Sequence, residues 1–402
     1  MPTDLQLTAL DPVFREHPHD VLDRLRAEDP VYLDAPVGRL FLTRFKDMKA
    51  VLADRSLSVD PRKAPDTPRR RALMQDVPPE EFQPSMLLLD DPDHKRLRGL
   101  VSQAFNQRSV DALRPRIRDI AEALLDALAD HRSFDVIAEF AGPLPILVIA
   151  EMLGVDPGDR SQFKRWSDAR AHVLNPARTP EQRAELAAAG QGLNEYFARA
   201  IDARRGCRGA DLISLLVDAE EKGDRLSARE IVITCNLLLV AGNLTTTDLI
   251  GNGVLALLRH PSQLAKLRAH PELVPNAVEE MLRYDTPVVQ VGRFALEPLE
   301  IDGREVRAGQ PVTCSLLAAG HDPAVHPDPH RFNIERADTT HLAFGGGAHY
   351  CLGAPLARAE AQIAITALLK RFPGLRLDPQ YAAKHKRVPV FNGLEALWVC
   401  AT

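Results

Sequence analysis

Apolar residues return every three or four positions through most of the chain, the spacing that gathers them on one face of an α-helix. Residues 109–131 (SVDALRPRIRDIAEALLDALADH) and 352–372 (LGAPLARAEAQIAITALLKRF) hold this period over several turns. Strand-like alternation is rarer. PVYLDAPVGRLFLTRF (30–45) reads as a hairpin with Gly38 near its turn, and LEIDGREVRAGQPVTCSL (299–316) as two short strands around Asp302–Gly303. The pattern predicts a mainly α fold with small β-sheets. Two polar, Pro-rich breaks, 59–85 and 171–190, fit either linkers or long ordered loops over a pocket.

One helical stretch is odd. LLLVAGNLTTTDLIGNG (237–253) reads as a buried helix, yet it carries an Ala–Gly step and three successive threonines, whose branched side chains and hydroxyls suit helix interiors poorly.

Length alone, 402 residues, suggests two or three domains. A formal net charge of −5 argues against a nucleic-acid footprint. The first twenty residues show neither a basic nor an apolar signal segment, and no uncharged run looks long enough to span a bilayer. These features predict a cytoplasmic protein without membrane attachment. Five scattered cysteines without a C-x-x-C pair support neither a disulfide framework nor a structural zinc site.

The most informative stretch is AFGGGAHYCLGAPLARAEAQ (343–362), where a glycine run leads into Cys351 just before a helix. A thiolate there would gain from the helix dipole and free backbone N–H groups, making it a metal ligand or nucleophile; a buried free cysteine in a Gly turn is the plainer alternative. FGGGAHYCLGAPLAR resembles, position by position, the cysteine loop F-G-x-G-x-H-x-C-x-G-x-x-x-A of the cytochrome P450 family, through Phe344, Gly345, Gly347, His349, Cys351 and Gly353. The resemblance runs from residues 41–60 to PVFNGLEALWV near the C-terminus, and replaces the two- or three-domain estimate with a single haem-binding domain spanning 1–402.

The resemblance implies haem b with Cys351 as the proximal iron ligand, an anionic sulfur suited to oxygen activation. His94 and Arg98 in DDPDHKRLRGL, together with Arg293 and His349, match the family's propionate partners; arginine's fork suits a carboxylate. Asp91 is the expected N-cap of the His94 helix, followed by Pro92 in its first turn. Glu280 and Arg283 in NAVEEMLRYDTPV, with Arg331 in DPHRF, resemble the family's structural Glu–Arg–Arg brace. VAGNLTTTDLIGNG takes the place of the distal helix, where Ala241 and Gly242 leave room above the iron and Thr245 matches the threonine that helps deliver protons. Thr246 and Thr247 are expected to bond back to carbonyls one turn earlier. The family's acid before that threonine is replaced by Leu244, so Asp248 is a candidate substitute.

By the same resemblance, Leu87, Leu88, Leu237, Val240, Ala241, Leu244, Val289, Val291 and Phe391 should wall a pocket for a hydrophobic small molecule. The implied reaction is insertion of one oxygen atom from O2 into a C–H bond by a bacterial-type monomer. Electrons would come from NAD(P)H through a reductase and a ferredoxin or flavodoxin, an acidic partner meeting basic residues such as Arg358 and Lys370. A peroxide-using peroxygenase and a non-catalytic haem-binding helper are the alternatives.

Overall fold

A computed structural model of the chain describes residues 5–74, 77, 80–175, 178–221 and 226–401. Within the Pro-rich segments, 75–76, 78–79 and 176–177 lie outside the described residues, as does the start of the N-terminal stretch, 1–4.

The threonine-bearing stretch lies within a helix of 32 residues, Ala228–Arg259. Its start is fixed by a capping box: Ser227 Oγ accepts from the Glu230 N–H at 3.2 Å, and the Glu230 carboxylate accepts from the Ser227 N–H at 2.8 Å. Leu239, Ile250, Val254, Leu255 and Leu257 are almost fully buried on different sides of it, as expected of a helix enclosed all round. By length and composition this helix could cross a membrane, a property hidden in the sequence reading by Asp248, which interrupts the apolar run. It packs instead against Pro143–Leu153, Arg160–Ala171, Pro180–Gly206, Val274–Tyr284 and Ala354–Arg371, which makes it the central helix of the core.

The two predicted periodic stretches form Gln107–Asp126 and Ala354–Arg371, and these helices pack on each other. One hydrophobic cluster, from Met86 to Val399, joins them to the central helix.

The predicted hairpin is present: Val31–Asp34 pairs antiparallel with Arg39–Leu42, with Gly38 in the left-handed region that its turn requires. It opens a five-stranded sheet in which Arg39–Leu42 runs parallel to Pro311–Ser315, followed by Gln290–Ala295 and Leu57–Ser58, both antiparallel to their neighbours. Leu299–Ile301 and Arg304–Val306 form the second predicted pair around Asp302 and Gly303. The sheet carries Arg293 and Val291 to the rim of a large cavity beside the central helix.

The Glu–Arg brace closes with a different third member. Arg283 and Glu280 are fully buried and doubly bonded, Nε to Oε2 at 2.7 Å and Nη2 to Oε1 at 2.8 Å. The second arginine on Glu280 is Arg336, whose Nε lies 3.0 Å from Oε2. Arg331 is exposed and contributes only its carbonyl, which accepts from Arg336 Nη2 at 2.8 Å. The local DPHRF pattern could not distinguish them, because the side chain that reaches Glu280 is set by how the whole loop folds back.

Candidate haem and oxygen-activation site

The cysteine loop is shaped by its glycines. Gly345 and Gly347 have φ of 70° and 64°, a region unfavourable for residues with a Cβ, and a Cβ on Gly347 would collide with the Leu52 carbonyl. The Cys351 N–H donates to the Phe344 carbonyl at 2.9 Å, closing the loop just before the helix Ala354–Arg371. Burial pushes the Cys351 thiol up, while the Gly353 and Ala354 N–H groups, Arg98 and Arg358 pull it down. A protein-only environment thus favours the thiol, and a metal cation supplies the positive charge that a thiolate there needs.

Cys351 lines a cavity of about 1290 Å³, together with Phe344, Gly345, His349, Gly353, His94, Arg98 and Arg293. Arg293 is 9% exposed and its Nη1 donates to the Gly292 carbonyl at 2.9 Å; among the described residues no carboxylate forms an ion pair with it. Burial holds its guanidinium below the usual arginine range. A buried cation of this kind calls for an anion, and a haem propionate fits it. Burial, and then neighbouring His94 and Arg293, push His349 down to about 4, so at neutral pH it is an uncharged N–H donor, its ring 4.1 Å from that of His94. Arg98 Nη2 donates to the Tyr350 carbonyl at 2.7 Å, tying this basic group to the cysteine loop. The thiol, the glycines that line the cavity beside it and the basic rim form a donor set that fits haem.

Asp91 does not cap the His94 helix. The helix is Asp93–Ser102 with Pro92 at the cap position, and Asp91 Oδ1 instead lies 3.3 Å from His94 Nδ1. Its carboxylate orients the imidazole rather than the backbone.

Above the cysteine, Leu237, Val240, Ala241, Leu244 and Thr245 face the cavity. Thr245 Oγ1 donates to the Ala241 carbonyl at 2.9 Å, so the back-bonding threonines are Thr245 and Thr247, the latter to Asn243 O at 2.9 Å. Thr246, expected to bond back one turn, lines the cavity beside Thr245 instead. Asp248 does not line it: its carboxylate pairs with Lys386 Nζ at 2.6 Å and lies against Gly393. In this last turn the cavity face narrows to Thr245, Thr246 and Leu249, and at 100° per residue Asp248 falls about 60° outside Thr245. Burial raises Asp248 to about 6 against the pull of Lys386. This placement removes Asp248 as a direct replacement for the missing acid.

Leu87, Leu88, Val291 and Phe391 line the cavity, but Val289 does not. It precedes the strand, where no pleat fixes its direction, and packs with Phe14, Leu22, Phe41 and Leu317. The Pro-rich segment 59–85 takes the second of its two expected forms, a loop over a pocket: its described residues Pro61, Pro65, Met74 and Phe82 wall the cavity. Helix Pro180–Gly206 adds a polar end through Gln191 and Asn194, the latter accepting from Asn236 Nδ2 at 2.7 Å.

The expected partner contacts also change. Arg358 is bound to both Glu279 oxygens at 2.7 and 2.8 Å and lies 4.5 Å above the Phe344 ring, so it braces the cysteine loop. Lys370 is exposed, but at the far end of the helix, about 25 Å along its axis from the cysteine end.

A family profile described as Cytochrome P450 matches residues 179–380. The Cytochrome P450 monooxygenase PikC of Streptomyces venezuelae is 42% identical over 98% of this chain and 94% of its own length. The 6-deoxyerythronolide B hydroxylase of Saccharopolyspora erythraea is 42% identical over 84% of this chain and 82% of its own. The crystal structure of myxobacterial cytochrome P450 CYP267B1 in complex with myristic acid superposes with a TM-score of 0.89 at 39% identity, covering 97% of this chain and 98% of that one. With a cysteine loop, basic rim and threonine-bearing helix around one cavity, identity of 42% to a cytochrome P450 monooxygenase along nearly the whole chain places it in the cytochrome P450 family as a haem-thiolate monooxygenase.

Proposed function

We propose that this monooxygenase hydroxylates a bulky hydrophobic molecule carrying polar groups at one end. Cys351 would ligate the haem iron, His94, Arg98, Arg293 and His349 would hold its propionates, and Thr245 would handle protons beside the reacting carbon. The observation that carries this reading is that all of these side chains line one cavity. When bound, haem supplies the oxygen-activating iron, made electron-rich by the thiolate.

The chain's own residues divide the remaining work. Leu238, Val240, Leu244 and Val291 exclude water around the bound carbon skeleton. Thr245 gives its proton to the Ala241 carbonyl, which leaves its oxygen lone pairs free to accept a proton donor from the cavity side. From Thr245 the cavity reaches Ala228, about 25 Å along the central helix, and passes Asn236 and Asn194 on the way. That polar end supports a substrate with polar groups, such as the 6-deoxyerythronolide B for which one relative is named, over a plain hydrocarbon chain.

Electrons come from NAD(P)H through a separate reductase and a ferredoxin or flavodoxin in the cytoplasm. Leu244, with Asp248 turned towards Lys386, supports a second reading in which hydrogen peroxide supplies oxygen, electrons and protons together.

The test has two stages. The reduced protein with carbon monoxide should show the red-shifted Soret band of a thiolate ligand, lost in Cys351→Ala; an unshifted native band overturns the axial assignment. Oxygenated polycyclic or macrocyclic compounds should then give the low-to-high-spin shift more strongly than fatty acids of equal carbon number, and the reverse ranking overturns the substrate class. Turnover with reductase and ferredoxin against turnover with peroxide separates the two oxygen sources.

A further inference from the structure

Three histidines lie together away from the haem cavity. His19 stands on helix Pro18–Glu28, His321 follows the short helix Leu316–Gly320, and His330 lies in the loop beyond it. Their ring centroids are 4.0 Å apart for His19–His321, 5.1 Å for His321–His330 and 5.5 Å for His19–His330. One ring nitrogen from each lies within 4.8 Å of the others'.

The surroundings leave lone pairs free. His321 is 1% exposed, and its Nδ1 lies 3.2 Å from the Leu317 carbonyl, which can only accept. That bond fixes the proton on Nδ1 and leaves Nε2 as a buried acceptor with no partner among the described residues. The Nδ1 of His19 is likewise buried and unpartnered among them. His330 Nε2 lies 2.6 Å from Asp23 Oδ2, which leaves Nδ1 as the nitrogen available to a ligand. Asp23 is held in turn by Arg26 at 2.6 Å, and Arg26 Nη2 donates to the Ala318 carbonyl at 2.9 Å. A carbonyl on the outer nitrogen of His321 and a carboxylate on that of His330 match the arrangement that orients imidazoles toward a metal.

We propose that His19, His321 and His330 form a binding site for a divalent transition metal of the zinc class, with Asp23 and the Leu317 carbonyl as outer supports and a fourth position open to water. Tetrahedral zinc at about 2.0–2.1 Å from each nitrogen needs nitrogens about 3.4 Å apart, so the rings close by roughly an ångström, a movement open to the half-exposed His330. The metal would join the N-terminal helix Pro18–Glu28 to the loop whose Gly320, Pro329 and Arg331 carbonyls Arg283 holds, linking two segments distant in sequence.

The test uses the haem-loaded protein, stripped with a chelator and titrated with zinc chloride by calorimetry and equilibrium dialysis, with the Soret band followed in parallel. We expect one saturable zinc per chain at sub-millimolar concentration, a higher unfolding temperature and an unchanged Soret band. His330→Ala, at an exposed position that tolerates truncation, should weaken binding at least tenfold, and Asp23→Asn by about 10–100-fold. His270→Ala, on an exposed histidine elsewhere, should leave it unchanged. Absence of saturable binding, or binding that survives His330→Ala and His19→Gln, overturns the proposal.

Discussion

Replacing Arg293 by methionine should have opposite effects on the haem-free and haem-loaded protein. Methionine keeps an unbranched apolar stem in the cavity wall and deletes the charge. In the haem-free protein that charge is a burden: Arg293 is 9% exposed, bonds the Gly292 carbonyl and has no carboxylate ion pair among the described residues. An unpaired buried cation costs several kcal/mol after relaxation, on the order of what a lost stem contact would forfeit or more. Haem-free Arg293→Met should therefore be as stable as the native chain, or more so.

With haem bound the sign reverses. A charge-assisted hydrogen bond to a propionate is worth about 1.5–3 kcal/mol. At about 1.4 kcal/mol per decade, losing it speeds haem loss roughly 10–100-fold. Transfer of haem to an excess of a haem-scavenging globin measures that rate, and urea unfolding of both forms measures the stabilities. Unchanged haem transfer, or a haem-free variant destabilised as much as the loaded one, would refute the assignment, since a merely structural arginine would act equally in both states.

Three further outcomes follow from named contacts. Leu244→Asp puts a carboxylate beside Thr245 and should raise product formed per NAD(P)H about tenfold or more relative to peroxide-driven product, the scale of a positioned proton donor; equal effects on both would show that only shape changed. Glu279 is held at about 2, burial being outweighed by Arg358 and His341, so its contribution is present above its ordinary value of 4.5 and lost as pH falls towards 2. That is about 3 kcal/mol, and Glu279→Gln should flatten this part of the acid limb in a denaturation series. Gly347→Ala should cost about 2 kcal/mol or more and lower the haem-loaded fraction, because it needs φ of 64° and meets the Leu52 carbonyl; native haem content and unfolding midpoint would refute the strain argument.

The cysteine loop and the periodic helices were legible in the sequence because each residue there answers to a local demand. Gly345 and Gly347 serve positive φ, and the 3.6-residue period of 354–371 serves one buried face. His94, Arg98, Arg293 and His349 were legible by resemblance, and all four line the cavity. What was not legible depends on direction rather than identity. Asp248 stands one helical turn from Thr245, close enough to share a face in projection, yet the cavity has narrowed there and Lys386, 138 residues later, claims its carboxylate. Val289 and Val291 are two apart, but only one lies within a strand, so alternation does not apply to the pair. Arg331 and Arg336 differ by five residues in a loop without period, and only the folded loop selects which one meets Glu280.

The same distinction governs the distal side, where the oxygen chemistry is decided. A leucine at 244 is a fact of sequence, but its consequence depends on whether another acid reaches the cavity in that turn. Asp248 is withdrawn into a pair with Lys386, and Thr245 and Thr246 offer hydroxyls, which relay protons without supplying them. The apolar side of the central helix therefore leaves proton supply to water or to the polar groups of the substrate. An oxygenated substrate would bring a donor of its own to Thr245, which ties the missing acid to the substrate class: compounds with a hydroxyl near the reacting carbon should couple better than their deoxy analogues in the native protein. Leu244→Asp should erase that difference, and a native enzyme indifferent to the hydroxyl would break the link.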